Sequence, residues 1–409
     1  MTDQNTDTPL IARLATHLQR PVPEYVRTRA RLHLLDWLAC VAGGRTSLIA
    51  TKLRWDKSWA TASYLGNVLE MDDVHRSALL HPGPVIWPTV LTRAVNLGAM
   101  LNDAVRGYEA MISVGATFDA HHYAHFYPTS TAGSIGAAAA TASDYQLTEE
   151  QTAHALALAA SMTGGLWQMR HGSSFGKQWQ IEQASSLGTN ASWEAEHGMT
   201  GPLDVLEGPQ GLYAATCREP KPMVLGPGWR IEEVSFKPWA ACRHAHPAID
   251  CALELRAAGG LNAPFHVETY ADALTFCDKP NPTTESEAKF SLQHAVAVIA
   301  DGRNATPSDF TLEAIAALAD LRAQVTVAEA PEITARYPAH FGAWLNGFEL
   351  HDCRGDPERP VGEADIVAKM HMLAAWGGLP PSEADRAAEL ALRGDDAGAI
   401  VTMLEEWLA

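Results

Sequence analysis

Apolar residues recur at helical spacing through the first half of the chain, and they begin to alternate only beyond about residue 230. From Val22 to Gly44, the residues Val26, Leu32, Leu35, Trp37, Leu38 and Val41 fall mostly on one helical face, and Gly43-Gly44 supplies a stop. Two further helical patterns, Val85 to Leu101 and Ala104 to Phe118, are separated by Asn102-Asp103, which reads as a capping turn. The stretch Ser134 to Ala142 is almost entirely Ala and Gly, which on a helix permits close approach of its neighbours in the middle of a bundle. Thr148 and Gln151 stand at capping-box spacing ahead of a helix over Thr152 to Met162.

The texture then changes. Ile231 to Phe236, His266 to Thr275 and Ala323 to Ala328 carry period-two or β-branched patterns, and Asn346-Gly347 between Trp344-Leu345 and Phe348-Glu349-Leu350 predicts a tight hairpin. Helices are predicted over Pro247 to Ala258, Phe290 to Ala300 and Thr311 to Leu321, and after Pro357-Glu358-Arg359-Pro360 over Glu363 to Trp376, Ser382 to Arg393 and Ala397 to Leu408. The expected fold is therefore mostly α: a large all-helical domain made from residues 1–235 and 361–409, with a smaller α+β lid domain inserted at 236–360.

Composition narrows the function classes. A chain of 409 residues with 47% apolar and 19% charged positions can build more than one core and is not a disordered one. Its net charge of -18 excludes a general affinity for nucleic acid or an anionic membrane, so an anionic substrate has to be met by a local cationic pocket. Lysine is scarce, which draws attention to Lys177 and Lys237. The six cysteines form no CxxC pair, as expected of reduced thiols without a structural zinc or iron-sulfur site. Met1-Thr2-Asp3-Gln4-Asn5 is polar with no secretory apolar core, and no apolar run reaches the ~20 residues of a membrane span. The expected location is the cytoplasm.

Polar clusters rich in His, Lys and hydroxyl groups, with Pro or Gly beside them, suggest an enzyme site. His81 precedes Pro82-Gly83-Pro84 and reads either as an acid or base or as a buried cap of that turn. Asp72 and Asp73 read as site carboxylates or as caps, and Glu70, Asp72, His75 and His81 lack the spacing of a metal cage. Pro128-Thr129-Ser130-Thr131 opens the Ala/Gly helix, where hydroxyls and backbone N–H groups suit a carboxylate or merely cap the helix. His121, His122 and His125 bring no acidic third ligand and read as surface or loop histidines. Gly172-Ser173-Ser174-Phe175-Gly176-Lys177 fails as a phosphate loop, since Gln178 stands where Ser or Thr would hold a metal ion, but Lys177 remains a candidate for a substrate carboxylate. Lys237 precedes Pro238 at the predicted domain junction, where domain closure would bring it over a cleft.

Taken in order, these clusters, with the runs Val205 to Tyr213, Lys237 to Asp250 and Glu287 to Gly302, resemble the MmgE/PrpD family from about residue 25 to about residue 376. That family includes 2-methylcitrate dehydratase, cis-aconitate decarboxylase and iminodisuccinate epimerase. The resemblance implies a helical domain with an α+β lid, a homodimer and acid–base chemistry without a cofactor or metal. It also puts His81 on the catalytic histidine, Lys177 and Lys237 on substrate-binding lysines, and Asp72-Asp73 on the paired aspartates. Several positions depart: Tyr127 stands where the family has His, His294 where it has Tyr, Glu70-Met71 at the head of the aspartate motif, and Lys177 to Glu182 lacks the expected His and Gly.

These readings converge on a lyase that dehydrates or hydrates a small di- or tricarboxylate, with epimerisation or decarboxylation of a similar acid as the alternative and a non-catalytic carboxylate binder as a third. His81 or His294 would move the proton next to a carboxylate, Tyr127 would assist a leaving hydroxyl, and Lys177 would stabilise the developing charge. Lys237, Thr129, Ser130, Thr131, Cys242, Arg243, Asp72 and Asp73 would line the substrate's binding place.

Overall fold

The computed structural model describes residues 8–53, 59–92, 96–172 and 174–409. The polar start Met1 to Asn5, Ser173 and part of the predicted helix Val85 to Leu101 lie outside the described residues. The protein is mostly α, with a small sheet of four strands. Its chain divides into two compact units: one of Met1–Val68, Asp73–Val234 and Ile366–Ala409, the other of Leu69–Asp72 and Ser235–Asp365.

In unit one the Ala/Gly segment forms the helix Pro128–Asp144, and every residue from Pro128 to Ala142 is buried. It packs against the helices Leu97–Gly115, Glu149–Met162, Gly176–Glu196 and Gly83–Leu91. Small residues make this possible: a Cβ on Gly136 would lie 2.5 Å from Met111 Cβ, and one on Gly188 would lie 2.4 Å from the Ser134 carbonyl oxygen. The predicted capping box is formed, with Thr148 and Gln151 opening the helix Glu149–Met162. Helix Glu24–Gly44 is buried over its last dozen residues or so and carries Asp36, whose carboxylate takes a 2.6 Å hydrogen bond from Lys369 of the helix Glu363–Trp376.

One boundary is corrected. Asn102-Asp103 does not end a helix, because Leu97–Gly115 runs straight through it from an Asn96 cap. The Asp103 carboxylate instead accepts from Ser143 Oγ at 2.5 Å, so its polarity serves a tertiary contact. His122, expected at the surface, is buried with its ring stacked between Phe118 at 3.7 Å and Phe126 at 5.1 Å.

Unit two holds β1 (Phe265–Thr269), β2 (Val325–Glu329), β3 (Ala343–Leu345) and β4 (Phe348–Leu350) in the order β2-β1-β3-β4. β1 pairs with β2 in parallel, which requires a long crossover, and helices from Ala271–Cys277 to Ala319–Arg322 fill it. β3 and β4 form the predicted hairpin, with Asn346 at φ 47° and Gly347 at φ 94°, as a primed turn demands. Two strand predictions shrink. Among the described residues the segment Ile231 to Phe236 forms no strand: a 3-10 turn takes Arg230–Glu233, Ser235 makes a single bridge, and the Phe236 N–H bonds the Gly355 carbonyl. The run from His266 ends as a strand at Thr269 and continues as the helix Ala271–Cys277. Among the described residues no helix is long and apolar enough to cross a membrane.

Candidate active site

The His81 turn is built from short-range constraints. His75 and Leu80 exchange backbone hydrogen bonds of 2.9 and 3.4 Å, closing a loop in which Leu79 takes a positive φ of 54°. Pro82, Gly83 and Pro84 then start the helix Gly83–Leu91. His81 leaves this turn half-buried, its N–H donating to Thr129 Oγ1 at 3.0 Å and its Nδ1 lying 3.1 Å from the Asp73 carbonyl oxygen. A carbonyl only accepts, so this contact puts the ring proton on Nδ1 and the basic lone pair on Nε2.

Asp73 is the keystone of this turn. Its carboxylate accepts from His33 Nδ1 at 2.8 Å, from the Tyr108 hydroxyl at 2.7 Å and from the Gly83 N–H at 2.8 Å. Glycine at 83 lets the backbone come that near, since a Cβ would sit 2.7 Å from Asp73 Oδ1. Asp73, a candidate substrate contact, is 3% exposed and organises the turn from within unit one.

The segment Tyr127 to Thr131 forms the neighbouring wall. The Tyr127 N–H donates to the Gly165 carbonyl at 3.0 Å, and its buried ring packs at 4.7 Å from Trp167. Thr129 Oγ1 receives the His81 N–H, Ser130 Oγ faces the Gln180 carbonyl at 3.4 Å, and Thr131 Oγ1 lies 3.2 Å from the Gly164 carbonyl. Each of these hydroxyls contacts neighbouring backbone. Gln180 also donates to the Leu166 carbonyl at 3.1 Å, which ties the first turns of helix Gly176–Glu196 to this wall. Lys177, the second residue of that helix, is half-buried. Thus His81, Tyr127, Thr129 and the helix bearing Lys177 belong to one connected set of segments in unit one.

The remaining candidates lie in unit two. Lys237 is wholly buried and forms an ion pair of 3.3 Å with Asp72, so these two candidate substrate ligands lie side by side. Arg243 pairs with Asp356, which also accepts from Ser235 Oγ at 2.5 Å and from the Cys353 N–H at 3.0 Å. Burial opposes the Arg243 charge, but Asp356 outweighs it and raises its pKa, so the guanidinium is held as a buried cation. Cys242 is buried with its N–H on the Lys289 carbonyl at 2.8 Å, and its thiol neighbours that of Cys277.

His294, the alternative proton carrier, stands in the helix Leu292–Ala300. It is fully buried, its Nε2 donates to the Asp309 carbonyl at 2.8 Å, and Arg322 Nη1 approaches its Nδ1 at 3.4 Å. Burial lowers its pKa to about 4. Both ring nitrogens thus have protein neighbours within unit two. The residues missed from the sequence are His33 and Tyr108, each inside an otherwise apolar buried helix face, where nothing local distinguishes them from core.

One group could hold a cation among the described residues: His340, Asp352 and Glu358 in unit two, whose ligand atoms lie within 4.8 Å of one another. His340 Nδ1 and Asp352 Oδ1 already share a 2.8 Å hydrogen bond, so the group reads as a surface ion-pair cluster.

Human (Homo sapiens) cis-aconitate decarboxylase is 28% identical over 196 residues, which is 45% of this chain and 40% of that protein. The mouse (Mus musculus) cis-aconitate decarboxylase is 27% identical over 197 residues, again 45% of this chain and 40% of that protein. The similarity thus spans about two fifths of the length of these relatives. Residues 44–224, which include His81, Tyr127 and Lys177, match the MmgE/PrpD N-terminal domain, and residues 239–395 match the MmgE/PrpD C-terminal domain. Since these two matches take in most of the sequence and arrive in the order the motifs foretold, the chain belongs to the MmgE/PrpD family.

Proposed function

We propose that this protein is a lyase acting on a small di- or tricarboxylate, with His81 removing or returning a proton on the carbon next to a carboxylate. The observation that carries this reading is the tautomer of His81: Nδ1 donates to the Asp73 carbonyl, which places the lone pair of the neutral ring on Nε2. In the dehydrating direction, Nε2 takes the carbon-bound proton, the electron pair forms a carbon–carbon double bond, and the carbon–oxygen bond on the adjacent carbon breaks. The Tyr127 hydroxyl supplies the proton that lets hydroxide leave as water. The Lys177 ammonium stabilises the enediolate formed in between, and hydration follows the same steps reversed. This chemistry needs only acid–base side chains.

A second reading, decarboxylation of an unsaturated acid, draws on the similarity to the two cis-aconitate decarboxylases. There the carbon–carboxylate bond breaks, carbon dioxide leaves, and a protonated group at the position of His81 delivers a proton to the resulting carbanion.

Incubating the purified protein in D₂O with a panel of hydroxy, unsaturated and amino polycarboxylic acids, followed by proton NMR, separates these outcomes. Loss of water supports the first reading and loss of carbon dioxide the second, whereas deuterium exchange with neither points to epimerisation. H81A and K177A should each lower turnover by ~10² or more. Binding of an acid with no conversion, or near-normal turnover in both variants, overturns the assignment.

A further inference from the structure

The Asp73 carboxylate is buried and receives three donors from three different helices: His33 Nδ1 from Glu24–Gly44, the Tyr108 hydroxyl from Leu97–Gly115 and the Gly83 N–H from Gly83–Leu91. A buried carboxylate needs donors wherever it sits, so this trio alone would be unremarkable packing. What gives it consequence is that the main-chain carbonyl of the same residue holds His81 Nδ1. With both carboxylate oxygens pinned, the peptide plane after Asp73 has little room to rotate, and the carbonyl that selects the His81 tautomer is pinned with it. The two donor side chains are themselves locked, Tyr108 lying against the His33 ring at 5.7 Å and the Trp87 ring at 6.0 Å.

We propose that His33 and Tyr108 are positioning residues: acting through Asp73, they hold His81 in the Nδ1–H tautomer and aim its Nε2 at substrate. This rests on the reading of His81 as the proton carrier. His33 is suited to holding rather than carrying. Burial, followed by the charges of Arg29 and Lys369, pushes its pKa well below the usual histidine range, so it keeps a single proton, directed at Asp73. Asp36 on the His33 helix acts on Tyr108, whose pKa burial and then Asp73 raise well above its usual value, and Glu232 on the turn Arg230–Glu233 acts on Arg29.

The test uses the full chain labelled with ¹⁵N-histidine, with the His81 ring resonances assigned by their loss in H81Q. Wild type should show the Nδ1–H tautomer at His81, and H33A and Y108F should each move it toward a mixture or toward Nε2–H. H33N, whose side-chain amide can again donate to Asp73, should restore the wild-type pattern. With a substrate in hand, H33A should lower kcat by ~10- to 100-fold with KM changed by less than about twofold, and H33N should recover most of the loss. Should H33A fail to fold, Y108F removes a single oxygen and serves in its place. An unchanged His81 tautomer in folded H33A and Y108F overturns the positioning role, whatever His81 does. Full turnover in H81A instead removes the catalytic reading and leaves the tautomer measurement to stand by itself.

Discussion

Replacing Gly188 with alanine sets two opposing effects against each other at the contact between the helices Gly176–Glu196 and Pro128–Asp144. Alanine in a helix interior is favoured over glycine by about 1 kcal/mol, so a loosely packed position would gain stability. Here the new Cβ would stand 2.4 Å from the Ser134 carbonyl oxygen and 2.5 Å from both the Ala138 nitrogen and the Ala137 Cβ. Ordinary contact begins near 3.4 Å, so the helices must separate by about 1 Å, the difference between 3.4 and 2.4 Å. No flexible side-chain end is among these atoms, so local rotation cannot relieve the clash. Overpacking of this kind costs ~1–3 kcal/mol. Separation also stretches the 2.8 Å hydrogen bond from Ser192 Oγ to the Ala138 carbonyl, whose loss costs about 1 kcal/mol. The packing terms win, and the expected net change is a destabilisation of ~2 kcal/mol. Urea unfolding followed by far-UV circular dichroism and tryptophan fluorescence measures it, provided the m-value stays at its wild-type level. A G188A protein as stable as wild type, or more stable, would refute the claim that these helices meet backbone to backbone.

Three further outcomes are expected. K369M removes the ammonium paired with the buried Asp36 carboxylate and should cost ~3–5 kcal/mol in the same unfolding assay, while the double variant D36L/K369M should recover most of it. His122 and His294 have folded pKa values lowered to about 4, so the unfolded chain binds more protons between that value and the usual 6.5; their contribution to stability is present above pH 6.5 and is lost as the pH falls toward 4. Asp103, raised to about 6 by burial, acts in the opposite sense over the lower part of that window, so the clean readout is the difference in acid sensitivity between H294Q and wild type, which should vanish above neutrality. G347A forces a side chain into φ 94° at the β3–β4 turn and should destabilise the protein by ~1 kcal/mol or more, whereas N346D should be tolerated, as aspartate also suits the first position of such a turn.

What could be read directly from the residues was local. The Thr148–Gln151 cap, the Asn346-Gly347 hairpin and the Ala/Gly helix depend on neighbours within a few positions, and the helical period survives whatever packs against it. The ordered succession of His, Lys and hydroxyl motifs likewise sufficed to place the chain in its family.

The roles of individual polar residues were not legible in this way, because each is decided by a partner far along the chain. His33 meets Asp73 across 40 residues, Lys237 meets Asp72 across 165 and Arg243 meets Asp356 across 113. A motif shows that a charge is present, but only packing shows whether that charge is already answered. By that measure Lys237, Arg243 and His294 each have a protein partner in unit two, and the carbonyl of Asp73 holds the ring of His81. The physical reason is desolvation: a buried polar group has to find a partner within hydrogen-bond reach, and the identity of that partner is a property of three-dimensional packing that no short window of sequence contains.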